Sequence, residues 1–139
     1  MASIRSGIGE NVEYRYLFKA KHFGEWHIGN IVKEPDGLYI RDIKENVMAY
    51  IDDESTICQC TGLKDKNGNL IWENDIMVAH LDEDYPEDET YKRILWYGNG
   101  FCSIENGSKD IAPIDKFDRE YFEVCGNIFD NPELLESEG

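Results

Sequence analysis

A chain of 139 residues, 41% hydrophobic and 12% aromatic, is long enough for about one domain with a genuine core. Its 29 Asp and Glu against 14 Lys and Arg leave a formal net charge of −15 with no basic run, a balance that repels phosphate and argues against direct DNA or RNA binding. No apolar signal segment opens the chain and no uncharged stretch is long enough to span a bilayer, so the expectation is a cytoplasmic protein without membrane association, its four cysteines kept as thiols.

Residues 1–12 mix Ser and Gly with single charges and show no periodicity, and are expected to form a flexible leader. One domain is predicted over residues 13–136, with a disordered tail at 137–139. From Tyr14 onward, short runs rich in Tyr, Ile, Val, Trp and Phe end at Gly, Asn, Asp or Pro, the pattern of strands and turns. Strands are predicted at Tyr14 to Lys21, Trp26 to Lys33, Leu38 to Ile43, Val47 to Ile51, Thr56 to Cys60, Asn69 to Trp72, Ile76 to Leu81, Tyr91 to Tyr97, Phe101 to Ile104 and Tyr121 to Cys125. Their spacing leaves no room for helical crossovers, so the fold class is mainly β, an antiparallel barrel or sandwich. His22 to Glu25 and Pro35 to Gly37 suit tight reversals. Gly-Asn pairs begin at 29, 68, 98 and 126, at irregular intervals, and count as turn vocabulary without a repeat. The closing DNPELLESEG predicts one short helix, with Asn131 as cap and Pro132 at the first helical position.

Between the seventh and eighth strands, residues 82–90 form an acidic surface loop, with six carboxylates (Asp82, Glu83, Asp84, Glu87, Asp88, Glu89) in eight residues. Charges this dense cannot be buried together, so a solvated, mobile loop follows. Its spacing matches no metal site.

The stretch TGLKDKNGNLIWENDI, Thr61 to Ile76, admits three readings. Asp65, Asn67 and Asn69 occupy the first, third and fifth positions of an EF-hand loop, but Leu70 and Ile76 stand where Gly and a bidentate Glu are needed. A phosphate loop fails because no helix follows it. The hairpin reading needs nothing missing: Asp65 bonds the backbone ahead, Lys66 and Asn67 form the centre, and Gly68 takes a positive φ. Asn74 then enters the left-handed region, and Asp75 caps backbone before the next strand.

TICQCTGLKDKNGNLIWENDI and the later EVCGNIFDNPELL resemble the two signature segments of the YopX family, in the same order and about 45 residues apart. The early YLFKAKHFGEWHIGNIV is similar to that family's opening hairpin, so the resemblance covers roughly residues 14–135. Cys60 replaces a more frequent aromatic residue, and Asn74 a usual Gly. The resemblance implies a mainly β fold, expression from a phage or prophage in a bacterial cell, and no catalytic residues to carry over.

Cys58 and Cys60 share one face of a strand, but the spacing is not that of zinc knuckles and His22, His27 and His80 form no ligand pattern, so they are read as buried thiols. Trp26, Trp72, Trp96, Tyr97 and Phe101 are read mainly as core and rim, with Trp72, Trp96 and the six loop carboxylates as the candidate interaction surface. No catalytic residue, cofactor or metal is expected. The leading functional expectation is a non-enzymatic accessory protein that binds a host or phage protein. Its rivals are an acidic DNA mimic directed at a host DNA-binding protein, a small-ligand or enzymatic domain with an aromatic pocket, and a homo-oligomer paired through strand edges.

Overall fold

The computed structural model describes residues 17–136. The predicted leader at 1–12, the start of the predicted first strand at 14–16 and the tail at 137–139 lie outside the described residues. The chain is mainly β, with two antiparallel sheets and only short helices, and it divides into two compact units that meet in sequence at Gly62 and Leu63.

The first unit contains β1 (Phe18–His22), β2 (Glu25–Glu34), β3 (Gly37–Asp42), β4 (Met48–Tyr50) and most of β5 (Cys58–Lys64). These pair antiparallel in the order β4-β3-β2-β1-β5. A two-residue loop joins β1 to β2, with Phe23 at φ 46° and Gly24 at φ 91°, the twist that matches right-handed strands. Phe23 holds this left-handed conformation without glycine's freedom, helped by its amide donating to Asp52 Oδ1 at 2.6 Å. Ala20, Ile40, Ala49 and Ile51 form the core, with Ile31, Leu38 and Ile57 packed against it.

Gly29 was read as turn vocabulary, yet it lies inside β2, paired with both Phe18 and Asp42. A Cβ there would overlap the Arg41 carbonyl, so here glycine permits two backbones to approach closely. Thr56, predicted in a strand, instead ends a 3-10 turn (Glu54–Thr56) capped by Asp53, where its hydroxyl accepts the Lys21 amide at 3.0 Å.

The second unit continues from the end of β5 through β6 (Leu70–Trp72), β7 (Asp75–Ala79), β8 (Thr90–Tyr97), β9 (Gly100–Glu105), β10 (Ile111–Pro113), α1 (Lys116–Tyr121), β11 (Glu123–Asn127) and α2 (Glu133–Glu136). The last five strands pair in the order β10-β9-β8-β7-β11. β7 is buried along its whole length, as befits a strand flanked by β8 and β11. Ile71, Met77, Ala79, Ile94 and Phe122 form the core, bordered by Leu63, Ile114 and Val124.

Two of these elements were absent from the sequence reading. β10 is three residues ending in Pro113, a residue that a sheet tolerates at its edge, where β10 sits. α1 is a six-residue helix whose capping box uses Asp118 in place of the usual Glu or Gln, and Tyr121, predicted to start a strand, is its last residue. The short helix at the end of the chain is present as α2, but Asn131 does not cap it with its side chain. That side chain turns back to accept the Asn127 amide at 3.2 Å and lies over Gly126.

α1 is fastened by charge. Asp118, 2% exposed, accepts from Lys92 Nζ at 2.6 Å, from Ser103 Oγ at 3.2 Å and from the Asp115 amide at 3.2 Å, while Lys92 also sits 4.9 Å above the Phe122 ring.

Two stability predictions follow from these contacts. Gly29→Ala loses at least about 2 kcal/mol in urea unfolding, whereas Gly100→Ala, which meets open space, stays within about 0.5 kcal/mol. Asp118→Ala strands the Lys92 ammonium and costs about 2–3 kcal/mol by the same measurement.

Candidate functional site

The acidic loop is exposed throughout, from Leu81 to Glu89, but its backbone is not featureless. Asp82 Oδ1 accepts the amides of Asp84 (2.9 Å) and Tyr85 (3.2 Å), and the Asp88 amide reaches the Tyr85 carbonyl at 2.9 Å. At the loop's base, His80 Nδ1 donates to the Pro86 carbonyl at 2.8 Å, a carbonyl being able only to accept. Tyr91 donates its hydroxyl to Glu89 Oε1 at 2.6 Å. That hydrogen bond, then burial and the Glu89 charge, push the phenol up to about 12. The turn therefore directs Asp82 inward to the loop's own amides and leaves Glu83, Asp84, Glu87 and Asp88 facing solvent, with Tyr85 59% exposed among them.

The aromatic candidates separate. Trp72 is buried in β6, so it presents no surface to a partner, which corrects its place among the interaction residues. Trp96 is 50% exposed at the tip of the β8–β9 hairpin, edge-on to Phe101 with ring centroids 4.8 Å apart, and Tyr97 beside it is 60% exposed. These side chains are rim and not core. Trp26, in the first unit, lies under Lys19 and Lys21, whose ammonium groups stand 4.6 and 5.2 Å from its ring. Two open cavities in the second unit, about 190 and 130 Å³, are lined by Arg93, Ile104, Asn106 and Leu135, and by Glu89, Tyr91, Glu105 and Asn106; neither draws on Trp72 or Trp96.

The turn residues of the Thr61 to Ile76 stretch hold backbone. Asp65, 6% exposed, accepts from the amides of Asn67 and Asn69 through Oδ1 (both 2.9 Å) and from the distant Val124 amide through Oδ2 at 2.8 Å. Asn67 reaches Glu123 Oε1 at 2.9 Å. Gly68 sits at φ 85° and Asn74 at φ 72°. Asp75, 2% exposed, accepts the Trp72 amide at 2.7 Å. All these carboxylate contacts are structural ties between chain segments.

One cluster escaped the sequence reading because its members lie on different elements. His27 on β2 meets Asp42 at the end of β3, with Nδ1 2.8 Å from Oδ2, and Glu45 follows in the next turn. Asp42 Oδ1 accepts the amides of Lys44 (2.8 Å) and Glu45 (2.9 Å). Burial pushes the Asp42 carboxyl up, but those amides and the imidazole outweigh it and hold the group below its ordinary value. The only signal available was the turn DIKENV, where Asn46 at φ 57° folds Glu45 back toward Asp42.

Residues 23–136 match the family described as YopX protein. The chain belongs to the YopX family. Its fold is similar to that in the crystal structure of protein EF1440 from Enterococcus faecalis, with a TM-score of 0.52 and 24% identity over 86% of this chain and 96% of that chain. At that identity the likeness speaks to fold alone. No curated protein matches the chain.

The thiols of this YopX chain also divide. Cys58 and Cys60, on one face of β5, are buried, as is Cys102; Cys125 is exposed as a residue, though its sulfur points toward the Ile76 carbonyl 3.5 Å away. Partial enclosure, followed by the charges of Glu89, Glu123 and Asp75, pushes the Cys125 thiol up to about 11 from 9.0. A raised thiol value favours the folded state fully below pH 9 and is lost as pH rises from about 9 to 11. Under native conditions a thiol reagent should therefore modify Cys125 alone, with a rate that climbs toward about pH 11, while all four cysteines react in denaturant; a rate plateau at pH 9 contradicts the assignment.

Proposed function

We propose that this YopX protein is a non-enzymatic accessory protein of phage or prophage origin that binds a protein with a basic surface through the loop Leu81 to Glu89. The observation that carries the reading is the loop itself. Its own amides hold it in shape, so less ordering entropy opposes binding than for a slack loop. It presents four outward carboxylates around an exposed tyrosine; tyrosine is one of the residue types that anchor protein interfaces, and the carboxylates suit the polar rim around such an anchor. Negative charge would raise the encounter rate with a basic partner and make it sensitive to salt.

The non-enzymatic part of the reading is supported by how the buried carboxylates are used. Asp65 and Asp75 are engaged by backbone amides, and Asp118 by Lys92, an amide and the Ser103 hydroxyl, which is itself buried and closed to a substrate. The exposed Tyr85 favours an anchored contact with a protein over pure imitation of phosphate charge, because its ring adds apolar area that charge imitation does not use.

The test is affinity capture from the bacterial host at low and moderate salt. It uses the wild-type chain, Tyr85→Ala, and a variant with Glu83, Asp84, Glu87 and Asp88 changed to Gln or Asn. Binding of a specific partner is expected to weaken about tenfold or more for Tyr85→Ala, and to lose much of its salt dependence in the neutralised variant. Equal capture by all three chains rejects the loop as the binding surface, and competition by duplex DNA that survives Tyr85→Ala but not neutralisation selects the DNA-mimic reading instead.

A further inference from the structure

We propose that His27, Asp42 and Glu45 form a binding site for a divalent transition-metal ion of the zinc class. One ring nitrogen of His27 and one carboxylate oxygen from each acid lie within 4.8 Å of one another. Around a tetrahedral ion with bonds of about 2.0–2.2 Å, neighbouring ligand atoms stand about 3.3–3.6 Å apart, so closing the set takes a modest rotation of the Glu45 side chain and a small opening of the His27–Asp42 pair from its hydrogen-bonded 2.8 Å. Its carboxylate is exposed and has no hydrogen-bond or ion-pair partner among the described residues, so that rotation breaks no contact.

The His27–Asp42 pair alone is a satisfied hydrogen bond and needs no ion. The third residue changes the balance. Glu45 brings a second carboxylate against the first in a chain already at −15, and one imidazole, which carries at most a single positive charge, cannot offset both. A divalent cation matches the two carboxylates with no net charge left over. With the imidazole proton moved to Nε2, the hydrogen bond between His27 Nδ1 and Asp42 Oδ2 is exchanged for the ion, and the two atoms, 2.8 Å apart without it, separate to the spacing of adjacent ligands.

The surroundings hold the first two ligands in place. Asp42 Oδ1 is occupied by the Lys44 and Glu45 amides, which turns Oδ2 toward His27, the kind of outer-shell tie that fixes a ligating carboxylate. Gly29, opposite Asp42 and two residues beyond His27, lets β3 approach β2 closely enough for the pair to meet. An imidazole with two carboxylates selects zinc-class ions over calcium or magnesium, which prefer all-oxygen shells.

The experiment is calorimetric titration of Zn²⁺ into chelator-treated protein, with Co²⁺ absorption as the reporter of geometry. One equivalent of Zn²⁺ is expected, with a tetrahedral Co²⁺ spectrum lacking thiolate charge-transfer bands. Glu45→Gln, a surface change that leaves the fold intact, and His27→Ala should each weaken binding about tenfold or more. Cys125→Ser should leave it unchanged. Absence of saturable Zn²⁺ binding, undiminished binding in both ligand variants, dependence on Cys125, or tighter binding of Ca²⁺ than of Zn²⁺ each overturns the site.

Discussion

Four buried aspartates set the terms for the rest of this protein. Asp42, Asp65, Asp75 and Asp118 are each 7% exposed or less, and each is there because it accepts hydrogen bonds that the backbone or a lysine must otherwise leave unmade. A short-stranded β fold has many reversals, and every reversal leaves amides without a ladder partner. A carboxylate with several acceptor sites can serve two or three of them at once, and such charge-assisted bonds are stronger than neutral ones. Asp65 shows the economy most clearly: one side chain closes its own turn and also takes the amide of Val124, fifty-nine residues further on.

The same constraint sorts the remaining charge. A buried carboxylate is tolerated only with such partners, so acids without them are driven to the surface. The loop from Asp82 to Glu89 is the extreme case, where only Asp82 and Glu89 bond within their own surroundings and the others face water. Glu45 is an intermediate case, an exposed acid drawn back beside a buried one by the turn that Asp42 caps. The acidic loop and the cluster of His27, Asp42 and Glu45 are thus two products of one rule, with opposite outcomes for where the charge points.

Strands and turns were legible where local chemistry decides them. All ten predicted strands have a counterpart, because alternating β-branched and aromatic residues between Gly, Asn and Pro leave few other options. α1 was not legible, because six residues are too few for helical periodicity and its anchoring through Lys92 and Ser103 comes from β8 and β9. Gly29 carried the letters of a turn and the duty of a crossing, a distinction that exists only once Arg41 is brought against it.

By itself the sequence determined the class of fold, the acidity of the loop and the glycine and asparagine that reverse the chain, since each depends on a residue and its near neighbours. Only the tertiary structure decided that Trp72 is enclosed while Trp96 stands on a hairpin tip, and that His27 meets Asp42 fifteen residues away. Burial and convergence depend on which strands become neighbours, and pairing between segments is set by packing that a linear pattern does not encode locally.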